Sequence, residues 1–500
     1  MSRNEEKDHE LEPVSPGARL MQAPGLNLCI IAVMGFTTKI DPNVFKKGLQ
    51  DTLIKHPRFS SLLIVKNSKF TWKRTRVEME EHVFVPDLDP EMEYSGDEFV
   101  EDYMSALSTT PMDMKKPLWE IHILNVKTSD ADSVLVFKIH HSIGDGVSLT
   151  ALVLACARKT SDPESLPVIS SAASARKRKP DAAVDKGFLK RVFVLVWTVV
   201  LVVFNTCSDC MLFLATVLFL KDKWTPIKVA RGDDALSSRK RFVHRIISLD
   251  DVKLVKTAMN VSINDVILGI TEAGLSRYLN MRYGKIRENV TDQENMKKSS
   301  KNHLPKNLCI RSAVVFNLRP SATIEDMAEV MENAKELKGT WGNLIGICLL
   351  PLTISLHEEE EDPLIHVRRA KSTMDAKKLS LGHKCAFAVM KLMMFLFGNK
   401  IAGGVSRKVF QNTTLTFSNV VGPEEEITLF GHPLSYIAPS VHGFPQALII
   451  HYQSYGDKLI IAMGADEKLI PNPHQLCDDL AISLLNMKQA VIKKGLVQFC

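Results

Sequence analysis

The cysteines of this chain lack the spacing of a disulfide framework or of a zinc site. There are nine, an odd number, spread from Cys29 to Cys500. Cys207 and Cys210 form a single C-x-x-C pair, and no second pair completes a metal site. We therefore expect free thiols, a reducing compartment and no structural metal.

The sequence also lacks a strong net charge and a signal peptide. A formal charge of +6 over 500 residues is small for a protein that binds nucleic acid. Residues 1–13 are polar and acidic, so no secretory leader is expected. Because Cys500 is the last residue, no prenylation box is expected either. By contrast, 45% of the residues are hydrophobic, which is ample for buried cores, and the length suits two domains.

Composition divides the chain into four parts. We predict a disordered N-terminus over residues 1–15, a first domain over 16–160, a linker over 161–240 and a second domain over 241–500. The linker contains the most apolar segment of the protein, residues 192–220. Strand-like and helical runs alternate within both domains, which predicts a mixed α/β fold.

Periodicity predicts individual elements within these domains. Ser248 followed by two acidic residues is typical of a helix start, and a long helix is expected over Pro473–Ile492. Arg287–Pro305 and Glu358–Asp362 are expected to be exposed loops. A helical stretch is expected over Pro42–His56, and the strand-like runs are Leu28–Met34, Val134–His141, Arg241–Ile247, Arg311–Phe316, Leu415–Ser418, Ala447–Gln453 and Leu459–Gly464.

A heptapeptide with two glycines, residues 140–146, follows one of these runs and reads His-His-Ser-Ile-Gly-Asp-Gly. Side chains alternate along a strand, so His141 shares a face with apolar residues of the run and His140 points to the other face. Apolar surroundings keep an imidazole neutral and able to accept a proton. The pattern predicts His141 as a general base for an alcohol, with Asp145 as a loop carboxylate that fixes the turn.

Two other interpretations of these residues are available. A histidine at a strand end is most often a packed or surface residue. His140, His141 and Asp145 are all of types that bind metal ions. Adjacent strand residues face apart, however, so the two imidazoles would not easily hold one ion. The other histidines are scattered without a ligand spacing, and we expect no metal.

The heptapeptide resembles the HHxxxDG signature of the CoA-dependent acyltransferase superfamily. Further short motifs are similar to those of the wax ester synthase/diacylglycerol acyltransferase family, and they follow in the family's order from Pro16 to Met487. They are Pro117–Glu120 (PLWE), Asn264-Asp265 (ND), Asn317–Pro320 (NLRP), Trp341-Gly342-Asn343 (similar to the plant branch), Ser418–Pro423 (SNVxGP) and Gly464–Asp466 followed by Ile470-Pro471.

This resemblance implies two domains related to chloramphenicol acetyltransferase, with the active site at their interface. It implies an O-acyltransferase that uses long-chain acyl-CoA and a fatty alcohol, forming wax ester, or diacylglycerol, forming triacylglycerol. Acyl-CoA is then a substrate, and no cofactor is expected. In the family's pattern Arg319 pairs with Asp145. His140, which points to the other face of its strand, is expected to have a structural, supporting role. Asn264 is a candidate donor to the oxyanion, and the alternative is a polar residue that only satisfies backbone groups. No G-x-S-x-G elbow is present, so no covalent acyl-enzyme is expected.

The apolar segment consists of two runs, Val192–Val203 and Met211–Leu220, on either side of polar residues 205–210. Each run alone rises only about 15–18 Å, which is too short to span a bilayer. One continuous span would bury Asp209 in lipid at a cost of about 3 kcal/mol and would separate the two domains. We predict a shallow re-entrant or in-plane helical hairpin with Asp209 at the lipid headgroups, and the alternative is a buried pair of core helices. The neighbouring Arg176–Lys179 favours an anionic membrane surface over nucleic acid, although a solvated linker is equally compatible.

These expectations place the protein at the cytosolic face of the endoplasmic reticulum membrane, with the plasma membrane as a second location. Two alternatives remain open: a soluble alcohol acyltransferase of secondary metabolism, and a non-catalytic lipid-binding protein on the same scaffold. The first class usually carries a late DFGWG motif, which does not occur here. The intact His141 and Asp145 disfavour the second. The sequence indicates neither the preferred acceptor nor an oligomeric state.

Overall fold

A computed structural model describes residues 11–66, 69–88, 95–169, 188–230, 238–290, 302–318, 341–356 and 362–496. The helices are α1 (Pro16–Leu20), α2 (Pro42–Asp51), α3 (Gly96–Thr109), α4 (Gly146–Cys156), α5 (Phe188–Leu218), α6 (Leu249–Met259), α7 (Ile263–Val290), α8 (Ile365–Lys378), α9 (Gly382–Asn412) and α10 (Pro473–Lys493), with 3-10 turns at Leu53–Lys55, Pro57–Ser60 and Met79–Glu81.

The strands form three sheets. The first has the order β5-β6-β7-β2-β14-β13-β8, the second β11-β10-β12-β15-β16-β9, and the small third β1-β4-β3. The strands are β1 (Glu12–Pro13), β2 (Cys29–Phe36), β3 (Ser61–Lys66), β4 (Lys69–Arg74), β5 (Val83–Phe84), β6 (Trp119–Leu124), β7 (Ser133–His140), β8 (Ala157–Lys159), β9 (Lys240–Ser248), β10 (Leu308–Asn317), β11 (Ile345–Ile354), β12 (Leu415–Val420), β13 (Ile427–Leu429), β14 (His432–His442), β15 (Leu448–Tyr455) and β16 (Lys458–Asp466).

The first sheet is built around β7, every residue of which is buried. A nearly continuous apolar run suits a strand covered on both faces. Its one cation, Lys138, donates from Nζ to the Thr110 carbonyl at 2.7 Å and lies 3.7 Å from the Glu120 carboxylate. β7 pairs antiparallel with β2 and with β6, which begins at the buried Trp119. The motif at Pro117–Glu120 therefore supports the strand that carries the histidines.

The two large sheets share strands from both halves of the chain. β13 and β14 come late in the sequence, yet they lie in the first sheet, where β14 pairs with β2 along almost its whole length. One hydrophobic core accordingly combines early residues such as Phe36 with late ones such as Tyr436. A second core lies between the second sheet and α6, α7, α8 and α10. The two domains predicted on either side of residue 240 are therefore not fully separate in space, because residues 427–442 of the second domain pair with strands of the first sheet.

Local signals account for several element boundaries. The Ser248 side chain accepts a hydrogen bond from the amide of Asp251 and caps α6, as its sequence predicted. Helix α10 ends one residue beyond the predicted Ile492. Two expectations were wrong in part. Residues 12–15 are ordered, because Glu12–Pro13 pairs with β4 and Ser15 caps α1. The loop predicted over Arg287–Pro305 begins later than expected, because α7 continues to Val290.

The predicted helical hairpin is wrong, because α5 is one continuous helix of 31 residues through the polar stretch 205–210. That stretch contacts the chain between α8 and α9. Asn205 donates to the Leu379 carbonyl at 3.3 Å, and the Thr206 hydroxyl accepts from the Leu381 amide at 2.9 Å. Because the protein itself supplies these partners, the polar residues need neither a turn nor lipid headgroups.

Asp209 is the centre of this contact. Its carboxylate pairs with the ammonium group of Lys377 and accepts from the Ser380 hydroxyl at 2.6 Å. The Asp209 and Lys377 side chains are only 15% and 10% exposed. The acidic residue within the apolar segment therefore fastens α5 to the second half of the fold.

A second apolar helix, α9, was not predicted as a membrane element. It spans 31 residues, contacts α5, and bends at Gly398, whose φ of 76° lies in the left-handed region. Both helices are long and apolar enough to cross a membrane by length and composition. The C-terminal part of α5 and one side of α9 nevertheless pack on protein.

Candidate active site

The histidine pair lies where β7 leaves the first sheet. The backbone amide of His140 donates to the Leu118 carbonyl at 2.9 Å, and that of His141 donates to the Leu28 carbonyl at 2.8 Å. The chain then turns, with the Ile143 amide bound to the His140 carbonyl, and enters α4 at Gly146. Both imidazoles are therefore held by a buried strand and not by a free loop.

His140 is held in a closed set of polar partners. Its Nε2 lies 2.8 Å from Asn27 Oδ1, while Nδ1 accepts from the Ser142 amide at 3.1 Å and lies near Gln22 Nε2. Nε2 therefore carries the proton. Burial, with the neighbouring His141, lowers the pKa of His140 to about 3. This neutral ring is suited to bracing the turn, and the supporting role predicted for it stays a prediction.

His141 faces a different environment and contacts Asn343. The His141 Nδ1 lies 2.9 Å from Asn343 Oδ1, and the Asn343 amide donates back to the His141 carbonyl at 2.8 Å. The ring thus donates from Nδ1 and presents Nε2 as a proton acceptor. Burial lowers the pKa of His141 below its ordinary value, and the Asp145 charge and the Asn343 contact partly oppose that shift. The result is a neutral imidazole of fixed orientation.

Asp145 shapes the loop between β7 and α4. It caps α4 by accepting from the Ser148 amide at 3.1 Å, and its other oxygen accepts from the Leu344 amide at 3.2 Å. Its own amide donates to the Gly342 carbonyl. The predicted partner Arg319 lies outside the described residues, so that pairing stays a prediction.

The segment 341–344, just before β11, was missed as part of the site. Trp341 Nε1 donates to the Ile143 carbonyl at 2.7 Å, and a Cβ added at Gly144 would lie 3.0 Å from the Trp341 ring. Through Trp341, Asn343 and Leu344, this segment hydrogen-bonds to three residues of the heptapeptide turn and holds it in place. The only sequence signal was the Trp-Gly-Asn motif itself, which carries no indication of its partner.

A cavity of about 190 Å³ reaches His141 and draws its walls from both halves of the chain. Its lining is mostly apolar. Representative lining residues are His141, Asn343, Ser418, His451, Phe213 of α5 and Met390 of α9. The motif at 418–423 therefore contributes to the cavity wall through Ser418, Asn419 and Val420. A neutral imidazole that opens into a mostly apolar cavity shared by two sheets has a lone pair that can accept a proton from a hydroxyl.

Asn264 lies at the start of α7 and is exposed. Its Oδ1 accepts from Asn419 Nδ2 at 2.7 Å, which connects it to a residue of the cavity wall. Asn264 itself is not among the lining residues. Its predicted oxyanion role stays a prediction, as does the membrane role of Arg176–Lys179, which lies outside the described residues.

Two lobes that share a cavity at a histidine turn define a class of fold. The structure is similar to a wax ester synthase/diacylglycerol acyltransferase from Marinobacter aquaeolei VT8, with a TM-score of 0.58 and 17% identity, covering 96% of this chain and 99% of that one. It is also similar to the first condensation domain of the CDA synthetase, with a TM-score of 0.54, 11% identity and coverage of 96% and 98%. The chain thus has the two-lobed fold related to chloramphenicol acetyltransferase.

Sequence comparison narrows this class to one family. Residues 44–267 match the wax ester synthase/diacylglycerol acyltransferase catalytic domain, and residues 341–488 match the WS/DGAT C-terminal domain. Wax ester synthase/diacylglycerol acyltransferase 11 of Arabidopsis thaliana is 48% identical over 98% of this chain and 97% of its own length. Wax ester synthase/diacylglycerol acyltransferase 5 of Arabidopsis thaliana is 45% identical over 99% of this chain and 96% of its own length. The chain belongs to the wax ester synthase/diacylglycerol acyltransferase family, as its motifs predicted.

Proposed function

We propose that the protein transfers a long-chain acyl group from acyl-CoA to the hydroxyl of a lipid, with His141 as general base. The observation that carries this proposal is the neutral His141 ring, oriented by Asn343 and open to a mostly apolar cavity. Family membership supports the reaction class. The geometry supports the site.

The reaction needs one base and no covalent intermediate. His141 Nε2 takes the proton of the acceptor hydroxyl as its oxygen attacks the thioester carbonyl carbon. A tetrahedral oxyanion forms and collapses, the carbon–sulfur bond breaks, and the His141 imidazolium returns the proton to the CoA thiolate. The products are an ester and free CoA, and the ring ends neutral. Asp145 contributes by holding the turn through its two backbone contacts.

The acceptor is proposed to be a fatty alcohol, diacylglycerol or both. Both are neutral lipids with one reactive hydroxyl, and both suit a cavity lined by residues such as Phe213, Met390 and Met394. Methionine side chains adapt to chains of different shape, which suits a broad range of lipids. No nucleic acid partner is proposed.

Membrane association is proposed through α5 and α9 together, which extends the predicted surface of residues 192–220. From Lys190 to Val200 every residue of α5 is exposed, including Phe193 at 68% and Trp197 at 55%. On α9, Phe395 is 85% exposed and Phe397 58%. Contiguous exposed apolar side chains of this kind mark contact with a membrane or a partner.

The charges on these helices favour a bilayer with anionic headgroups. Helix α9 carries five lysine and arginine residues and no acidic residue over Gly382–Asn412. On α5 the basic residues Lys190 and Arg191 are exposed, while its acid Asp209 is paired internally. Each basic residue near an anionic surface contributes about 1 kcal/mol. Because Lys391 and Lys400 would be costly in hydrocarbon, α9 is proposed to lie along the surface and not across it.

The proposed location is the cytosolic face of the endoplasmic reticulum membrane. Both lobes contribute to one cavity, so both must face the same aqueous compartment. A tagged full-length chain that fractionates with microsomes and is degraded by protease added outside them would support this location. Protection from the protease would contradict it.

The function is tested with purified His141→Ala in phosphatidylcholine/phosphatidylserine vesicles containing hexadecanol or diacylglycerol, with palmitoyl-CoA added. Loss of the base is expected to lower ester formation by about 10²- to 10⁴-fold with either acceptor. Replacing His432, which lies in β14 and bonds to Thr38, with Gln is the matched control and should leave the rate unchanged. Turnover of His141→Ala equal to that of the parent would remove His141 from the reaction.

A further inference from the structure

A second imidazole in the cavity has no role in the reaction described above. His451 lies on β15, in register with Ser418 of β12 and Ala462 of β16, so it belongs to the second sheet. It is only 6% exposed, and it lines the same cavity as His141. Burial and, as a smaller effect, the charge of a protonated His141 lower the pKa of His451, so the two rings lie close enough to interact electrostatically.

The hydrogen bonding of His451 is incomplete. Its Nδ1 is buried and has no hydrogen-bond partner among the described residues. Burying an N–H without an acceptor costs more folding free energy than burying a nitrogen lone pair without a donor. Such unpaired N–H groups are rare in folded proteins. The proton is therefore expected on Nε2, leaving a lone pair on the buried Nδ1. Since the ring borders the cavity, Nε2–H is the donor that it offers there.

The two imidazoles of the cavity then differ in their hydrogen-bonding roles. His141 donates from Nδ1 to Asn343 and offers the lone pair of Nε2, whereas His451 offers an N–H. Burial lowers the pKa of His451 to about 4, so the ring stays neutral at physiological pH and donates without carrying charge. An acceptor and a neutral donor in one mostly apolar cavity fit a hydroxyl and a carbonyl oxygen.

We propose that His451 Nε2–H donates a hydrogen bond to the carbonyl oxygen of the acyl thioester and stabilises the oxyanion that forms when the acceptor attacks. This inference rests on the proposed function and adds a catalytic residue to it. The donor moves no proton in the step. The negative charge grows on the carbonyl oxygen, and the hydrogen bond strengthens as it grows.

A second unpaired polar group lines the same cavity and is consistent with a polar substrate atom there. Ser440 Oγ, on β14, is buried, lines the cavity and also lacks a partner among the described residues. Asn264, by contrast, is exposed and outside the cavity lining, so the protein shields its amide from water less than it shields His451. An oxyanion donor has most effect where water is excluded.

The test uses three substitutions of His451 in the full-length chain with palmitoyl-CoA and hexadecanol in vesicles. Gln places an amide nitrogen near the position of Nε2, Asn places one near Nδ1, and Phe fills the space without any donor. We expect His451→Phe and His451→Asn to lower kcat by about 10²- to 10³-fold with KM for palmitoyl-CoA changed less than about threefold. The kcat of His451→Gln should be at least about tenfold higher than that of His451→Phe.

A purely structural histidine would give the opposite order. If Phe preserves kcat and Gln does not, packing and not donation explains His451, and the inference fails. Equal losses in all three variants, with a common drop in melting temperature, would also overturn it, since Gln rescue is the signature of a donor. His141→Ala separates the two hypotheses. If it is inactive while the His451 variants match the parent, only the donor role is wrong. If it is fully active, His141 is not the base, and if the parent forms no ester at all, the proposed function itself is wrong.

Discussion

Asn343 and His141 exchange two hydrogen bonds across 202 residues of sequence: ring Nδ1 to amide oxygen at 2.9 Å, and amide nitrogen to backbone carbonyl at 2.8 Å. The first bond selects the tautomer of the ring and the second fixes the turn that carries it. Asn343 is itself buried, so water cannot replace it readily. It thus acts through His141 as a positioning residue.

Substituting Asn343 tests this relationship. Asn343→Ala leaves the ring free to change tautomer and rotate, and a misplaced base typically costs about 10²-fold. We expect kcat to fall by that factor while KM for palmitoyl-CoA changes little, measured by ester formation in vesicles. Asn343→Gln, with the same groups one methylene further out, should not restore the rate. A parent-like kcat for Asn343→Ala would show that the ring is oriented by other contacts.

The pH dependence of the reaction follows from the environment of His141. Burial lowers the pKa of His141 below the ordinary value of 6.5, and only the neutral ring can accept a proton. The value of kcat/KM should therefore be constant above pH 6.5 and fall only at lower pH. Because the Asn343 contact raises this pKa, Asn343→Ala should move the falling limb to lower pH. Asn343→Asp should move it upward, since a carboxylate favours the imidazolium. A fall in kcat/KM of the unsubstituted protein that begins above pH 7 would contradict the assignment of His141 as the base.

Local sequence patterns were sufficient for the elements that carry the site, but not for their partners. The apolar run before His140 predicted β7, and the polar cap at Ser248 predicted α6, because strand burial and capping depend on neighbouring residues. The family motif located His141. Asn343 was not identified, because its role depends on a partner that no local period reveals. The continuity of α5 was missed for the same reason.

The Asp209–Lys377 ion pair fastens the continuous helix α5 to the fold, and its contribution to the free energy of unfolding can be measured. Asp209→Ala leaves the Lys377 ammonium buried without its partner, and breaking a buried pair costs about 3 kcal/mol or more. Denaturant or thermal unfolding in detergent should show a loss of that size. The double variant Asp209→Leu/Lys377→Met removes both charges and should recover most of it.

An exposed pair gives the comparison for this measurement. Lys127 and Asp132 lie 3.6 Å apart with side chains 83% and 48% exposed, so Asp132→Ala should cost less than about 1 kcal/mol. If Asp209→Ala costs no more than Asp132→Ala, the Asp209 contact does not hold α5 to the fold. The apolar segment would then be free to adopt another arrangement in a membrane.

The surface formed by α5 and α9 is expected to bind a bilayer through its exposed aromatic side chains. Phe193→Asp and Phe395→Asp each remove an exposed aromatic side chain that a bilayer would cover, and burying such a side chain contributes about 1.5–3 kcal/mol. Each should weaken binding to phosphatidylcholine/phosphatidylserine vesicles by about tenfold or more in a flotation assay. Lys391→Gln/Lys400→Gln should reduce binding by a similar factor, and only when phosphatidylserine is present.

The matched control for these variants is Leu485→Asp, on α10. Leu485 is 48% exposed but lies on a helix that packs against α7 and α6 and away from the apolar pair. It should leave vesicle binding unchanged, since a single exposed leucine is common on soluble proteins. If Leu485→Asp weakened binding as much as Phe395→Asp, the effect would come from added negative charge and not from lost apolar contact. Because Phe395 shares α9 with the cavity residues Met390 and Met394, a specific loss at Phe395 would place the entrance of the site at the lipid surface.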